Sequence, residues 1–389
     1  LRLPCLRAGG RRYCMMEKRL CYAACSFGLE AVVARELRQL GIEEVWARDA
    51  RVYFRADAGQ IARANLWLCA ADRVYLVLAE FCAQTFEQLF QGIKAIPWAD
   101  YLPKSARFPV LADSVRSGLK SVPDIQSVSK KAVVEAMKEV YGISFFKEGG
   151  TLYQIYVNIL ADTASVCLNT SGEGLNRRGY RIKNGPAPLR ETLAAGIILL
   201  SRWKDRPFYD ITCGSGTIAI EAARRAKNCA PGLFRQFDAQ MWDDQYRAAF
   251  RAEKERAQQE MRESVEMPIF AWDIDPKLGE MARFHARMAG VENCIHFAQA
   301  DALCFEPKTQ IGTVFSNPPY AIRMGERKQV RELYRGLGRR LLGMENMKCY
   351  FISADEQFEL AYGRRADKKR KLYNGNIQCT FFKCMILND

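Results

Sequence analysis

Four consecutive residues, Asn317-Pro318-Pro319-Tyr320, combine the groups needed to hold a flat polar ring. They follow an apolar run, Ile311 to Phe315, that reads as a buried strand. Two prolines in succession lack N–H donors and have a fixed φ, so the chain leaves the strand as a stiff extended turn. That turn presents the Asn317 side-chain carbonyl and the Pro318 backbone carbonyl as two rigid acceptors, with the Tyr320 ring beside them. Two acceptors and an aromatic face suit a planar heterocycle carrying an exocyclic NH2 group. The bland alternative is a Pro-Pro turn that only ends a strand.

Three further polar strand ends weigh against that alternative. Asp210-Ile211-Thr212-Cys213-Gly214-Ser215-Gly216-Thr217 follows one strand-like run and opens an apolar helix, Ile218 to Ala226. Glycines at 214 and 216 permit a tight turn and close approach of a ligand to the backbone. Ile269 to Trp272 ends at Asp273, whose carboxylate can accept from both hydroxyls of a ribose. Asp275 precedes Pro276 and reads as a helix N-cap, and His285 as a core-facing or partly exposed helix residue. After a third run comes Gln299-Ala300-Asp301-Ala302, a carboxylate placed to hold an adenine amino group. In chain order these describe a nucleoside site beside a site for an amino-bearing base.

The elements that must position these residues read as strands at Pro207–Ile211, Pro268–Trp272, Ile295–Ala298, Ile311–Phe315 and Cys349–Ile352, with helices between them. Such alternation implies a mostly parallel sheet covered on both faces, with ligands beyond the carboxyl ends of its strands. Asn374-Gly375 between apolar runs signals an antiparallel hairpin at the sheet edge. The first half mixes elements without βαβ regularity. Strands are expected at Leu20–Cys25, Val52–Arg55, Arg73–Leu78 and Phe108–Asp113, helices from Val32 to Leu40, Thr85 to Ile93 and Ser127 to Tyr141, and a hairpin over Leu152–Asn169. An insertion over about residues 227–267, rich in Glu, Arg, Gln and Ala, reads as a solvated helix.

At 389 residues the chain calls for two or three domains. A formal net charge of +14 favours a polyanionic partner. No segment reaches the roughly 18 apolar residues of a membrane span. Fourteen cysteines, no CxxC pair and only two histidines argue for buried free thiols in a reducing cytoplasm and against a metal site. Residues 1–16 lack a signal-peptide pattern and read as a disordered extension ahead of a start at Met15 or Met16.

Taken together these residues resemble a class I S-adenosylmethionine-dependent methyltransferase. Asp210 to Gly216 are similar to its glycine motif, Asp273 to its ribose acid, Asp301 to its adenine contact and Asn317 to Tyr320 to its amino-methyltransferase signature. Ile211 and Trp272 depart from the residues more usual there, without removing a ligand-contacting group. The first half, ending in Ser171-Gly172-Glu173-Gly174-Leu175-Asn176-Arg177-Arg178, resembles the THUMP-containing RNA methyltransferases, and most of all their large-subunit ribosomal RNA guanine-N2 branch.

The likeness implies an α/β architecture. A C-terminal Rossmann-like class I methyltransferase sheet with an antiparallel terminal hairpin occupies 191–389. It follows α+β ferredoxin-like (17–65) and THUMP (66–170) modules and a basic linker (171–190). It implies S-adenosyl-L-methionine as cofactor, held by Asp210, Cys213, Gly214, Ser215, Gly216, Asp273, Asp301, Ala302 and Asn317. It implies methyl transfer at Asn317, Pro318 and Tyr320, an RNA partner met by Arg177, Arg178, Arg181, Lys183 and Arg323, and no metal. Ribosomal RNA guanine N2 is the expected acceptor. Transfer RNA guanine, DNA adenine N6 and an inactive RNA-binding assembly factor are the competing readings.

Overall fold

A computed structural model describes residues 18–48, 50–143, 145–182, 189–319 and 324–385, with the side chains of 324–327 left aside. In chain order the elements are β1 (Arg19–Cys25), α1 (Glu30–Gln39), β2 (Val45–Arg48), β3 (Arg51–Ala56), α2 (Ala58–Trp67), β4 (Ala71–Cys82), α3 (Phe86–Lys94), β5 (Val110–Val115), α4 (Val122–Tyr141), β6 (Ile155–Leu160) and β7 (Thr163–Asn169). There follow α5 (Glu191–Ser201), β8 (Phe208–Asp210), α6 (Thr217–Ala226), α7 (Asp244–Gln259), β9 (Ile269–Asp273), α8 (Pro276–Met288), β10 (Ile295–Gln299), β11 (Gly312–Ser316), α9 (Met324–Leu341), β12 (Met347–Ser353), α10 (Phe358–Tyr362), β13 (Lys368–Asn374) and β14 (Ile377–Met385).

The strands form two seven-stranded sheets. The first has the order β2-β3-β1-β4-β7-β6-β5 and is antiparallel except for β5 and β6, which run parallel. Helix α4 makes the crossover between them, so this half does contain one βαβ unit, which the sequence pattern concealed. The same helix starts before the expected Ser127. Ser121 caps it by accepting from the Asp124 N–H, and Pro123 sits in the first turn, where its missing N–H costs nothing. Strand β2 was not expected at all, because only four residues pair there and three are exposed.

The second sheet has the order β10-β9-β8-β11-β12-β14-β13. It is parallel from β10 to β12, and the antiparallel β13–β14 hairpin turns at Asn374-Gly375 as expected. The order reverses between β8 and β11, which creates the switch point where ligands of such sheets bind. Helix α5 is buried along Glu191–Leu199. Its Leu193, Ile197, Ile198 and Leu199 each contribute roughly 1.5–3 kcal/mol on burial, which outweighs the few tenths that two β-branched residues cost in helix propensity.

Helix α7 corrects the expectation of a solvated insertion. Tyr246, Phe250, Glu253 and Ala257 form a buried stripe against α2 of the first half. Glu253 fills that interface as an acceptor, with Arg63 Nε donating at 3.2 Å and Trp67 Nε1 at 3.0 Å. Trp242, just before the helix, stacks on Tyr153 at 5.2 Å and donates to the Leu152 carbonyl. The insertion thus fastens the methyltransferase-like sheet to the sheet that precedes it, and one apolar core runs through both.

Candidate active site

Everything the sequence singled out at strand ends lies along the carboxyl edge of β8, β9, β10 and β11. The turn after β8 holds Gly214 at φ 54° and Gly216 at φ 86°. The two glycines serve different needs. A Cβ at position 216 would stand 2.9 Å from the Ala282 Cβ on α8, so glycine is required for packing as well as for the left-handed backbone. A Cβ at position 214 would meet nothing within 4 Å, and this open side of the turn is where a ligand can approach. The Cys213 N–H donates to the Trp272 carbonyl at 2.8 Å, tying the turn to β9. His285 is fully buried as a core-facing residue, with Nδ1 3.1 Å from the Ser215 carbonyl, so it buttresses the turn from behind.

Asp273 closes over the same turn. Its Oδ2 accepts from the Gly214 N–H at 2.8 Å and its Oδ1 from the Asp275 N–H at 3.0 Å. The carboxylate is half-buried, and each oxygen keeps a second lone pair for a hydroxyl. Asp275 caps α8 by accepting from the Lys277 N–H, as its place before Pro276 foretold. Asp301 caps the short turn Ala302–Cys304, with Oδ1 accepting from the Leu303 N–H at 2.9 Å. Ala302 beside it is buried. The Ala300 N–H donates to the Asp273 carbonyl, which keeps these two acidic strand ends adjacent.

Asp210 lies beneath the turn and is only 1% exposed. Burial pushes its carboxyl up to about 8, against the Ala219 N–H that donates to Oδ2, and the neighbouring Asp273 charge adds to the rise. Its Oδ1 is buried with no hydrogen-bond partner. Such an oxygen, at the head of a ten-residue helix and below a turn with an open face, suits a ligand that brings a positively charged group.

Asn317 extends from the end of β11. Thr212 fixes it there: the Thr212 hydroxyl accepts from the Asn317 N–H at 3.1 Å and lies 2.9 Å from the Ser316 hydroxyl. Thr212 belongs to the glycine motif but was given no role from sequence; its hydroxyl beside two loops was the available signal. The Asn317 Oδ1 is buried and unpartnered, a second acceptor facing the same edge without a donor. Pro318 is buried and Pro319 exposed. Tyr320, Arg323 and Lys183 lie outside the described residues.

The basic connector needs correction. Arg177 is exposed, with Glu173 at 3.8 Å. Arg178 is not a surface group. Its side chain is 1% exposed, lies 3.6 Å from Glu221 and donates to the Leu175 and Cys69 carbonyls. Arg181 also turns inward, to the Thr217 hydroxyl at 2.5 Å, the Leu189 carbonyl and Glu191. Both were expected to meet phosphate from solvent. Their neighbours instead use the guanidinium forks to hold the connector against α6. Among the described residues no group of three or more His, Cys, Asp or Glu could hold a metal ion, and no helix is long and apolar enough to cross a membrane.

The second sheet and its strand-end site are those of an S-adenosyl-L-methionine-dependent methyltransferase. The chain belongs to the family described as RMKL-like, methyltransferase domain, which matches residues 178–383. An RlmL ferredoxin-like domain matches residues 21–75 and a THUMP domain residues 83–169. The "Putative RNA methyltransferase YpsC" of Bacillus subtilis (strain 168) is 40% identical over 371 residues, covering 95% of this chain and 96% of that protein. The ribosomal RNA large subunit methyltransferase K/L of Vibrio campbellii is 33% identical over 92% of this chain, which spans only 52% of that longer relative. The crystal structure of SMU.472 complexed with SAH, a methyltransferase by its title, superimposes with a TM-score of 0.90 at 37% identity. It covers 96% of this chain and 100% of its own.

Proposed function

We propose that the chain transfers a methyl group to an exocyclic amine of an RNA base, with guanine N2 of large-subunit ribosomal RNA as the acceptor. The observation that carries this reading is the buried, unpartnered Asn317 Oδ1, held at the end of β11 by Thr212. An acceptor without a donor at this place calls for a ligand N–H, and an exocyclic amine supplies two. The ferredoxin-like and THUMP matches, the basic net charge and the names of the relatives favour RNA as the carrier of that amine.

The cofactor supplies an electrophilic methyl group on a sulfonium. Gly214 leaves room for it, Asp273 and Asp301 offer acceptors to its ribose and adenine, and Asp210 offers a buried negative oxygen. The residues of the chain then act on the acceptor. Asn317 Oδ1 and the Pro318 carbonyl take the two amine hydrogens and so favour a pyramidal nitrogen, whose lone pair is released from the ring. That nitrogen forms the new N–C bond as the C–S bond breaks, its electron pair stays on sulfur, and the extra proton leaves to solvent. Orientation along one rigid edge supplies much of the acceleration. A base inside a duplex cannot reach this edge, so the target is single-stranded or flipped.

The test is incubation with methyl-labelled cofactor and either total RNA or DNA, followed by nucleoside mass spectrometry. Label in N2-methylguanosine is expected. Label in DNA alone, or in N6-methyladenosine, would overturn the acceptor assignment.

A further inference from the structure

Away from the strand ends lies a cleft of about 940 Å³, walled by the connector residues 173–181, by residues 235–241 of the insertion and by Thr151 and Leu152 ahead of β6. It touches the methyl-transfer edge through Arg181, whose guanidinium donates to Thr217, the residue directly after Gly216. Three observations mark it as a binding site. Arg178, with a side chain 1% exposed, and Arg181 line the cleft with their Nε donors buried and unpartnered. Leaving such donors unmet costs about 1–3 kcal/mol each. Arg235, also in the lining, spends its guanidinium on the carbonyls of Ser171, Glu173 and Gly174 and has no ion-pair partner among the described residues. Burial, with Arg178 nearby, pushes it down to about 10.

The acids of the lining do not cancel these cations. Burial raises both Glu191 and Asp238 toward their neutral forms, whereas arginines keep their charge. The remaining wall is mixed, with Gln236 and Gln240 amides beside Phe237 and Met241, the last of them 53% exposed. Cationic donors, amides and an apolar patch together match the phosphate, edge and face of a nucleotide.

We propose that this cleft takes one nucleotide of a single-stranded RNA segment flanking the methylated base. Its phosphate faces Arg178 and Arg181, and its base lies against Phe237 and Met241. This rests on the RNA reading above. The test uses the whole chain and a fluorescein-labelled single-stranded oligoribonucleotide, read by anisotropy across a salt series. Arg177→Glu with Gln236→Glu places two negative charges at exposed positions of the cleft. Lys204→Glu, an exposed position ahead of β8 at the opposite end of the sheet, controls for net charge. The double variant is expected to lose affinity by about tenfold or more and to show a shallower salt slope. Lys204→Glu is expected to bind as the wild type does, and all three proteins to bind SAH equally. Equal RNA affinity of the double variant would overturn the cleft while leaving methyl transfer standing. A wild-type chain that binds no RNA would overturn the functional reading and the cleft with it.

Discussion

Asp210 and Asp273 share one glycine turn but carry different duties, and burial separates them. Asp273 keeps half its surface and two spare lone pairs, so it can serve a ligand. Asp210 is sealed, and its proton is held to about pH 8 by desolvation above all. Because this folded-state value lies above that of an unfolded aspartate, the folded chain binds the extra proton between about pH 4 and pH 8. The stability from that proton is complete below the interval and is lost as pH rises through it. Asp210→Asn removes the titration, so its melting temperature should change less between pH 5 and pH 8 than that of the wild type. Parallel melting curves across that range would assign the effect to another group. Thr212 is the other residue with a consequence. Thr212→Val keeps the shape but loses the bridge to Asn317, and a misplacement of about 1 Å at the reacting edge can cost a hundredfold. We expect a fall in kcat of about tenfold to a hundredfold with SAH affinity nearly unchanged; an unaltered kcat would show that the prolines alone position Asn317.

At the scale of elements, the insertion matters most. Its composition looks solvated because charged residues outnumber apolar ones along α7, yet Tyr246, Phe250 and Ala257 recur on one face and dock on α2. Period, not composition, held the signal. Phe250 is 1% exposed against Phe237 at 5.1 Å. Phe250→Ala should therefore cost about 3–5 kcal/mol and lower the melting temperature. A cost below about 1 kcal/mol would mean that α7 lies loosely on the first half. The parallel sheet was readable for the opposite reason: short apolar runs ending in Asp210, Asp273, Gln299 and Asn317 repeat with helices between them, and burial on both faces leaves no polar alternation to confuse them. Strand β2 and the β5–α4–β6 crossover were hidden because exposed edges and long-range pairing leave little trace in local pattern.

Across the whole molecule, the site edge was legible and its surroundings were not. Motif residues announce themselves by type, since a glycine with positive φ or an acid at a strand end has few substitutes. Arg178 and Arg181 misled for a physical reason: a run of arginines between glycines reads as a solvent-facing patch, and only the fold shows Glu221, Glu191 and the carbonyls that turn them inward. The cleft they help to line depends on three segments distant in sequence, so no local pattern could announce it. The fold brings one reactive edge and one cation-rich cleft together on the two sides of α6, as a strand of RNA with one base turned out would require.

The central claim is that Asn317 grips the amine of a ribosomal RNA guanine during methyl transfer. Its most direct test is mass-spectrometric mapping of ribosomal RNA from a strain lacking this gene, complemented with wild-type protein or with Asn317→Ala. The account predicts one guanosine that loses its N2-methyl group in the deletion, regains it with the wild type and stays unmodified with Asn317→Ala, although that variant still binds SAH. Full restoration by Asn317→Ala, or an unchanged modification profile in the deletion, would contradict it.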